Sequence, residues 1–117
     1  MALRSATADD WSGMTGLPIP AHWIGLVYEE DGEALGLGGL CEGEGGRWWA
    51  MVQAKARRPV ALWRAAHEVL ATARVVGVEV FAIADTRIHG AEAFLLRIGF
   101  KPTDEIIEGH RILKWTP

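Results

Sequence analysis

Apolar and polar positions follow three different periods along this chain, and each period predicts a different kind of element. HWIGLVYEE (22–30) is rich in aromatic and β-branched residues and predicts a strand. Asp31-Gly32 follows it, a dipeptide suited to a two-residue hairpin turn, whose central positions need positive φ. EALGLGGLCE (33–42) predicts the return strand, GEGG (43–46) a second turn and RWWAMVQA (47–54) a third strand. Residues 22–54 therefore read as an antiparallel meander.

The period then lengthens. Leu62, Ala65, Ala66, Val69, Leu70 and Ala73 recur at three- and four-residue steps, which makes one apolar helical face. Pro59 suits the first turn of that helix, where its missing N–H is no loss, and Gly77 suits its stop. VEVFAIAD (78–85) is almost continuously apolar and predicts a strand buried on both faces. HGAEAFLLRIGF (89–100) predicts a second helix with Ala91, Phe94, Leu95 and Ile98 inward, Gly99 as a left-handed cap and Phe100 as the apolar contact beyond it.

At the two ends the signals are shorter. ALRSAT (2–7) predicts a strand, followed by a short helix through Asp10, Trp11 and Met14 that Thr7 or Asp9 would cap. GLPIP (16–20) predicts an irregular connection, and EIIEGHRILKW (105–115) a last strand or hairpin. The order is strand, helix, three antiparallel strands, long helix, buried strand, helix, strand. It predicts one α+β domain over 1–117 around a central sheet.

Composition narrows the function classes. The chain has 117 residues, half of them hydrophobic, with a net charge of −3. A domain of that size buries roughly two-thirds of the surface its unfolded chain exposes, enough for its own core. The acidic balance argues against a nucleic-acid partner, and no apolar run approaches the roughly 18 residues of a membrane span. Cys41 is the single cysteine, so no intrachain disulfide forms, and the expected location is intracellular. His22, His67, His89 and His110 lack metal-ligand spacing, so no metal is expected. Six tryptophans point to a bulky core before they point to a ligand cage. Trp48 and Trp49 are adjacent on a strand and must face opposite ways, one into the core and one toward a pocket or partner.

The element order, together with AEAFLLRIGF (91–100), resembles the GNAT superfamily of acyl-CoA-dependent N-acyltransferases. Members carry a late helix, after a buried strand, with small residues and an aromatic ahead of a terminal Gly-Phe, and Ala91, Ala93, Phe94, Gly99 and Phe100 resemble it. GLGGL (36–40) fits the family's return strand. The resemblance implies a GNAT-like mixed, mostly antiparallel sheet flanked by helices, with a splayed pair of parallel strands between the third meander strand and the buried strand. It implies acetyl-CoA as co-substrate and an amine as acceptor, in the cytoplasm.

The resemblance also implies where the chemistry sits. The family holds the CoA pyrophosphate at the start of the long helix, where free N–H groups and the helix dipole favour an anion. That segment here is KARRPVAL (55–62), with Lys55, Arg57, Arg58, Val60 and Ala61 as candidate ligands. It lacks the family's glycines, and Pro59 removes one donor. Where members carry a tyrosine acid, four residues before the Gly-Phe glycine, this chain has Leu95, which has no proton to donate. Glu42 and His89 are the candidate bases, each weighed against an ordinary surface role. These departures motivate a second expectation: a GNAT-fold protein that no longer catalyses and serves as a binding or structural component. Small phage-encoded proteins of this type, some associated with the virion, are the parallel.

Overall fold

The computed structural model describes residues 2–54, 59–84 and 90–117. Within them one mixed sheet runs in the order β1-β2-β3-β4-β5-β7-β6. Its strands are β1 (Ala2–Ser5), β2 (Trp23–Glu30), β3 (Glu33–Glu42), β4 (Trp48–Ala54), β5 (Val80–Ile83), β6 (Lys101–Ile107) and β7 (His110–Trp115). Three helices flank it: α1 (Ala8–Thr15), α2 (Pro59–Val76) and α3 (Ala91–Arg97). Neighbouring strands are antiparallel except β4 and β5, which run parallel. The α+β class and the meander follow the sequence pattern closely.

Local chemistry explains the element ends. Asp31 and Gly32 both have positive φ, so the β2–β3 turn is the tight hairpin their side chains favour. Thr7 caps α1: its Oγ1 accepts from the Asp10 N–H at 3.2 Å, and Asp10 Oδ2 accepts from the Thr7 N–H at 2.7 Å. The Arg4 guanidinium donates to both Asp10 oxygens, at 2.6 and 3.0 Å, and through Nε to Glu29 at 3.0 Å. Those bonds, with help from the Thr7 N–H, hold the Asp10 carboxyl far below the usual carboxylate range. Helix α3 ends in a Schellman motif: the Phe100 N–H reaches Leu95 O at 3.0 Å and the Gly99 N–H reaches Leu96 O at 3.2 Å. Gly99 sits at φ +110°, a conformation that glycine takes without strain.

Two layers of core lie on opposite faces of the sheet. Under α2 and α3, Leu40, Val69, Leu70, Ala73, Val80, Ala82, Phe100, Leu113 and Trp115 are buried together. Under α1, Trp11, Val27 and Leu37 are buried, with Trp23 stacked on Trp11 at 5.1 Å between ring centres. Trp11 and Trp115 meet the bulky-core expectation. Trp48 packs on the α2 side, and Trp49 on the other side meets Phe81 at 5.8 Å.

Three expectations need correction. Strand β5 is shorter than 78–85 and is buried on one face: Val80 and Ala82 are covered by α2 and α3, Phe81 is half-buried and Ile83 is 43% exposed. On that face of the sheet α1 packs mainly over β3 and β4. Over β5 lies an ion pair, with Arg47 donating to both Glu105 oxygens at 2.8 and 3.0 Å and lying over the Phe81 ring at 4.3 Å. Helix α3 spans 91–97, because Gly90 in the left-handed region starts it and the Schellman turn stops it. The C-terminal segment is a hairpin that begins at Lys101, turns at Glu108-Gly109 and carries an irregularity between Pro102 and Ile106. Pro102 is tolerated there because β6 is an edge strand.

Candidate active site

Strand β4 has two unlike edges. Along β3 it pairs continuously from Gly36↔Ala54 to Glu42↔Trp48. Along β5, among the described residues, it pairs at Trp48↔Val80 and Trp49↔Phe81 and then the ladder stops. The two parallel strands part beyond that point and leave a V that widens toward Ala54 and Ile83. Alternate backbone N–H and C=O groups of residues 50–54 face into the V, a row of donors and acceptors that an extended ligand can meet.

A cavity of about 40 Å³ adjoins this open edge. Its floor is sheet, from Gly38, Leu40, Ala50 and Val52; Leu62, Ala66 and Leu70 of α2 and Phe94, Leu95 and Ile98 of α3 enclose it. Every lining side chain is apolar. The seam between the two helices is closed outside by Trp63, whose ring meets Phe94 edge-on at 6.3 Å and carries the Arg97 guanidinium at 5.7 Å. Arg97, one of two polar residues in α3 with Glu92, thus covers an indole.

The first turn of α2 stands at the wide end of the V. Ala61 is wholly buried against Tyr28 and Leu35, and the Tyr28 ring lies across Gly36, which pairs with Ala54 at the end of β4. Ala61 is thus sealed, backbone included, whereas Val60 is 69% exposed. Lys55, Arg57, Arg58 and His89 lie outside the described residues. Glu42 lies at the other end of β4, opposite Trp48, exposed and level with the closed part of the V. At about 3.3 Å per residue that is about 20 Å from Ala54 along the strand. The structure thus brings Val60 and Ala61 to the wide end and leaves Glu42 at the narrow one.

Cys41 packs with the Trp11 cluster, on the sheet face opposite the cavity, and burial pushes its thiol pKa up. It is neither placed nor activated as a nucleophile. Leu95 lines the cavity, so the position where the family's tyrosine would stand does face the site, with an aliphatic side chain. Among the described residues no cluster of three or more His, Cys, Asp or Glu forms a metal site. The cavity-lining set was visible in the sequence only as the apolar stripes of two helices. The small residues Ala65 and Ala66 on the α2 stripe were the signal that space is left there.

No family model matches the chain, and neither does any curated protein sequence. Solved structures do match. An acyl-CoA N-acyltransferase from Pseudomonas aeruginosa superposes with a TM-score of 0.65 at 20% identity, over 87% of this chain and 74% of its own. A Klebsiella pneumoniae protein provisionally named an acyl-CoA N-acyltransferase gives 0.71 at 18% identity, over 98% of this chain and 96% of its own. The GNAT domain of S. lividans PAT gives 0.68 at 16% identity, over 96% and 70%. The splayed parallel pair, the helices on either face of the sheet and these superpositions agree: this chain has the fold of the GNAT acyl-CoA N-acyltransferases.

Proposed function

We propose that the protein is an acyl-CoA-dependent N-acyltransferase that uses the V between β4 and β5 as its thioester site. The observation that carries this reading is the open edge of β4 beside an apolar cavity, with the first turn of α2 at the wide end. The fit is physical. An amide-containing arm needs a row of backbone partners, a thioester needs a dry apolar seat, and a pyrophosphate needs free N–H groups and positive charge. Of the two candidates at the start of α2, exposed Val60 supplies a main-chain donor and buried Ala61 packs the turn against the sheet, while Lys55, Arg57 and Arg58 supply the charge.

In the transfer, the amine nitrogen bonds to the thioester carbonyl carbon and the carbon–sulfur bond breaks. The departing sulfur carries the electron pair and takes a proton. Leu95 has no proton to give, so that proton comes from the amine itself or from water, and proximity is the main source of rate. His89 is the base of choice. Glu42, at the narrow end of the V, would act through water. Acetyl-CoA is the donor the resemblance implies.

One observation favours a second reading: Leu95 lines the cavity where a proton donor would be useful. A protein with this fold that binds acyl-CoA without transferring it fits that observation equally. Calorimetric titration of CoA and acetyl-CoA, with Arg57→Ala and Arg58→Ala alongside, tests the shared part. Micromolar binding weakened in both variants supports the pyrophosphate placement, and absence of binding at millimolar ligand sinks both readings. Acyl transfer to a panel of primary amines then separates them.

A further inference from the structure

The cavity between the sheet, α2 and α3 has room and chemistry of its own. We propose that it seats an aliphatic acyl chain of three to five carbons, so that the preferred thioester is a short-chain acyl-CoA and not acetyl-CoA. This inference rests on the thioester reading above and deepens it.

Three observations carry it. First, the lining side chains are all apolar, and among the described residues no buried polar side-chain atom lacks a partner. Such a cavity takes hydrocarbon in preference to water. Second, its volume of about 40 Å³ is more than a two-carbon group fills. A water-sized group occupies about 10–15 Å³ on the same measure, so about three carbons fit. Third, the space comes from small side chains facing large ones. Gly38, Ala50 and Ala66 leave the room, and Leu62, Leu95 and Ile98 enclose it. Val52, 47% exposed on β4, marks where the cavity meets the open edge of the V. A chain attached to a thioester at that edge turns inward past Val52 and reaches Leu95. On this account an aliphatic residue at position 95 is a contact for the acyl chain, not simply the absence of an acid.

The test compares CoA, acetyl-CoA, butyryl-CoA and hexanoyl-CoA by calorimetric titration into the wild-type protein. Each buried methylene strengthens binding about fourfold, so butyryl-CoA is expected to bind about fifteenfold tighter than acetyl-CoA. The hexanoyl ester, too long for the space, should add little. Ala66→Leu narrows the cavity and should abolish the advantage of butyryl-CoA over acetyl-CoA. Leu95→Ala lengthens it and should move the optimum to hexanoyl-CoA. Equal affinity for acetyl- and butyryl-CoA, with CoA still binding, overturns this inference and leaves the thioester site standing. No binding of any CoA species overturns both. The wild-type series decides the matter even where a variant fails to fold.

Discussion

The two edges of β4 differ more than any other pair of regions in the molecule. Its β3 edge is hydrogen-bonded along its whole length, with Leu37 buried on one face and Leu40 on the other. Its β5 edge, among the described residues, is paired at Trp48 and Trp49 and then opens, and Val52 further along is half exposed. One strand thus serves as scaffold on one side and as a ligand-facing edge on the other. Open strand edges are normally covered or blunted, because unpaired groups invite other chains. The proposed function gives this open edge, beside an apolar cavity, a ligand to pair with.

Substitutions on the two sides should separate accordingly. The largest effect belongs to the scaffold side: Leu37→Ala should cost about 2–5 kcal/mol in urea unfolding, whereas Val52→Ala should cost less than about 1 kcal/mol and weaken thioester binding instead. Equal costs would break the comparison. Next is Gly39→Ala on β3. A Cβ there meets the Ile24 carbonyl oxygen of the neighbouring strand, which cannot move without shifting the ladder. A loss of about 1–3 kcal/mol is expected. Gly99→Ala, which forces a side chain into positive φ at the α3 cap, should cost about 1–2 kcal/mol. It should also loosen α3, so its effect on butyryl-CoA binding sharpens the claim that α3 roofs the cavity.

The smallest effect is farthest from the V. Asp10→Asn, which removes the charged partner of Arg4 at the α1 cap, should cost about 1 kcal/mol at pH 7. The folded carboxyl titrates well below its unfolded value of about 3.9. Its contribution is therefore present above about pH 4 and is lost as the pH falls toward the folded value. The gap between wild type and variant should be full at neutral pH and narrow progressively as the pH falls below about 4. Unfolding curves across that range check this, and thioester affinity should be untouched.

Sequence reading recovered what is local. Asp31-Gly32, the stripe from Leu62 to Ala73, Gly77 and Gly99-Phe100 each carry their own conformational instruction, and the elements they mark are in place. The family resemblance was carried by the element order and by one local stretch, Ala91 to Phe100, which ends in this cap. What was not legible depends on distant segments. The one-sided burial of β5 depends on helices and strands far off in sequence. The strap across Phe81 joins Arg47 to Glu105, 58 residues away. The start of β6 at Lys101 was missed because KPTDE is polar and proline-bearing, as an exposed edge strand tolerates. The cavity exists only once two helices and a sheet meet, and no spacing along the chain records its volume. Of the candidate ligands, Val60 and Ala61 were read from the start of a helix, which is local. Glu42 was read from a turn, without knowledge of which end of the V that turn adjoins.

The central claim is that the β5-facing edge of β4 is the ligand edge. Amide hydrogen exchange with and without saturating CoA tests it most directly. The account predicts slower exchange at residues 50–53 and at the start of α2, with the β6–β7 hairpin unchanged. Unaltered exchange at 50–53 under millimolar CoA, or protection confined to the Arg47–Glu105 face, would contradict it.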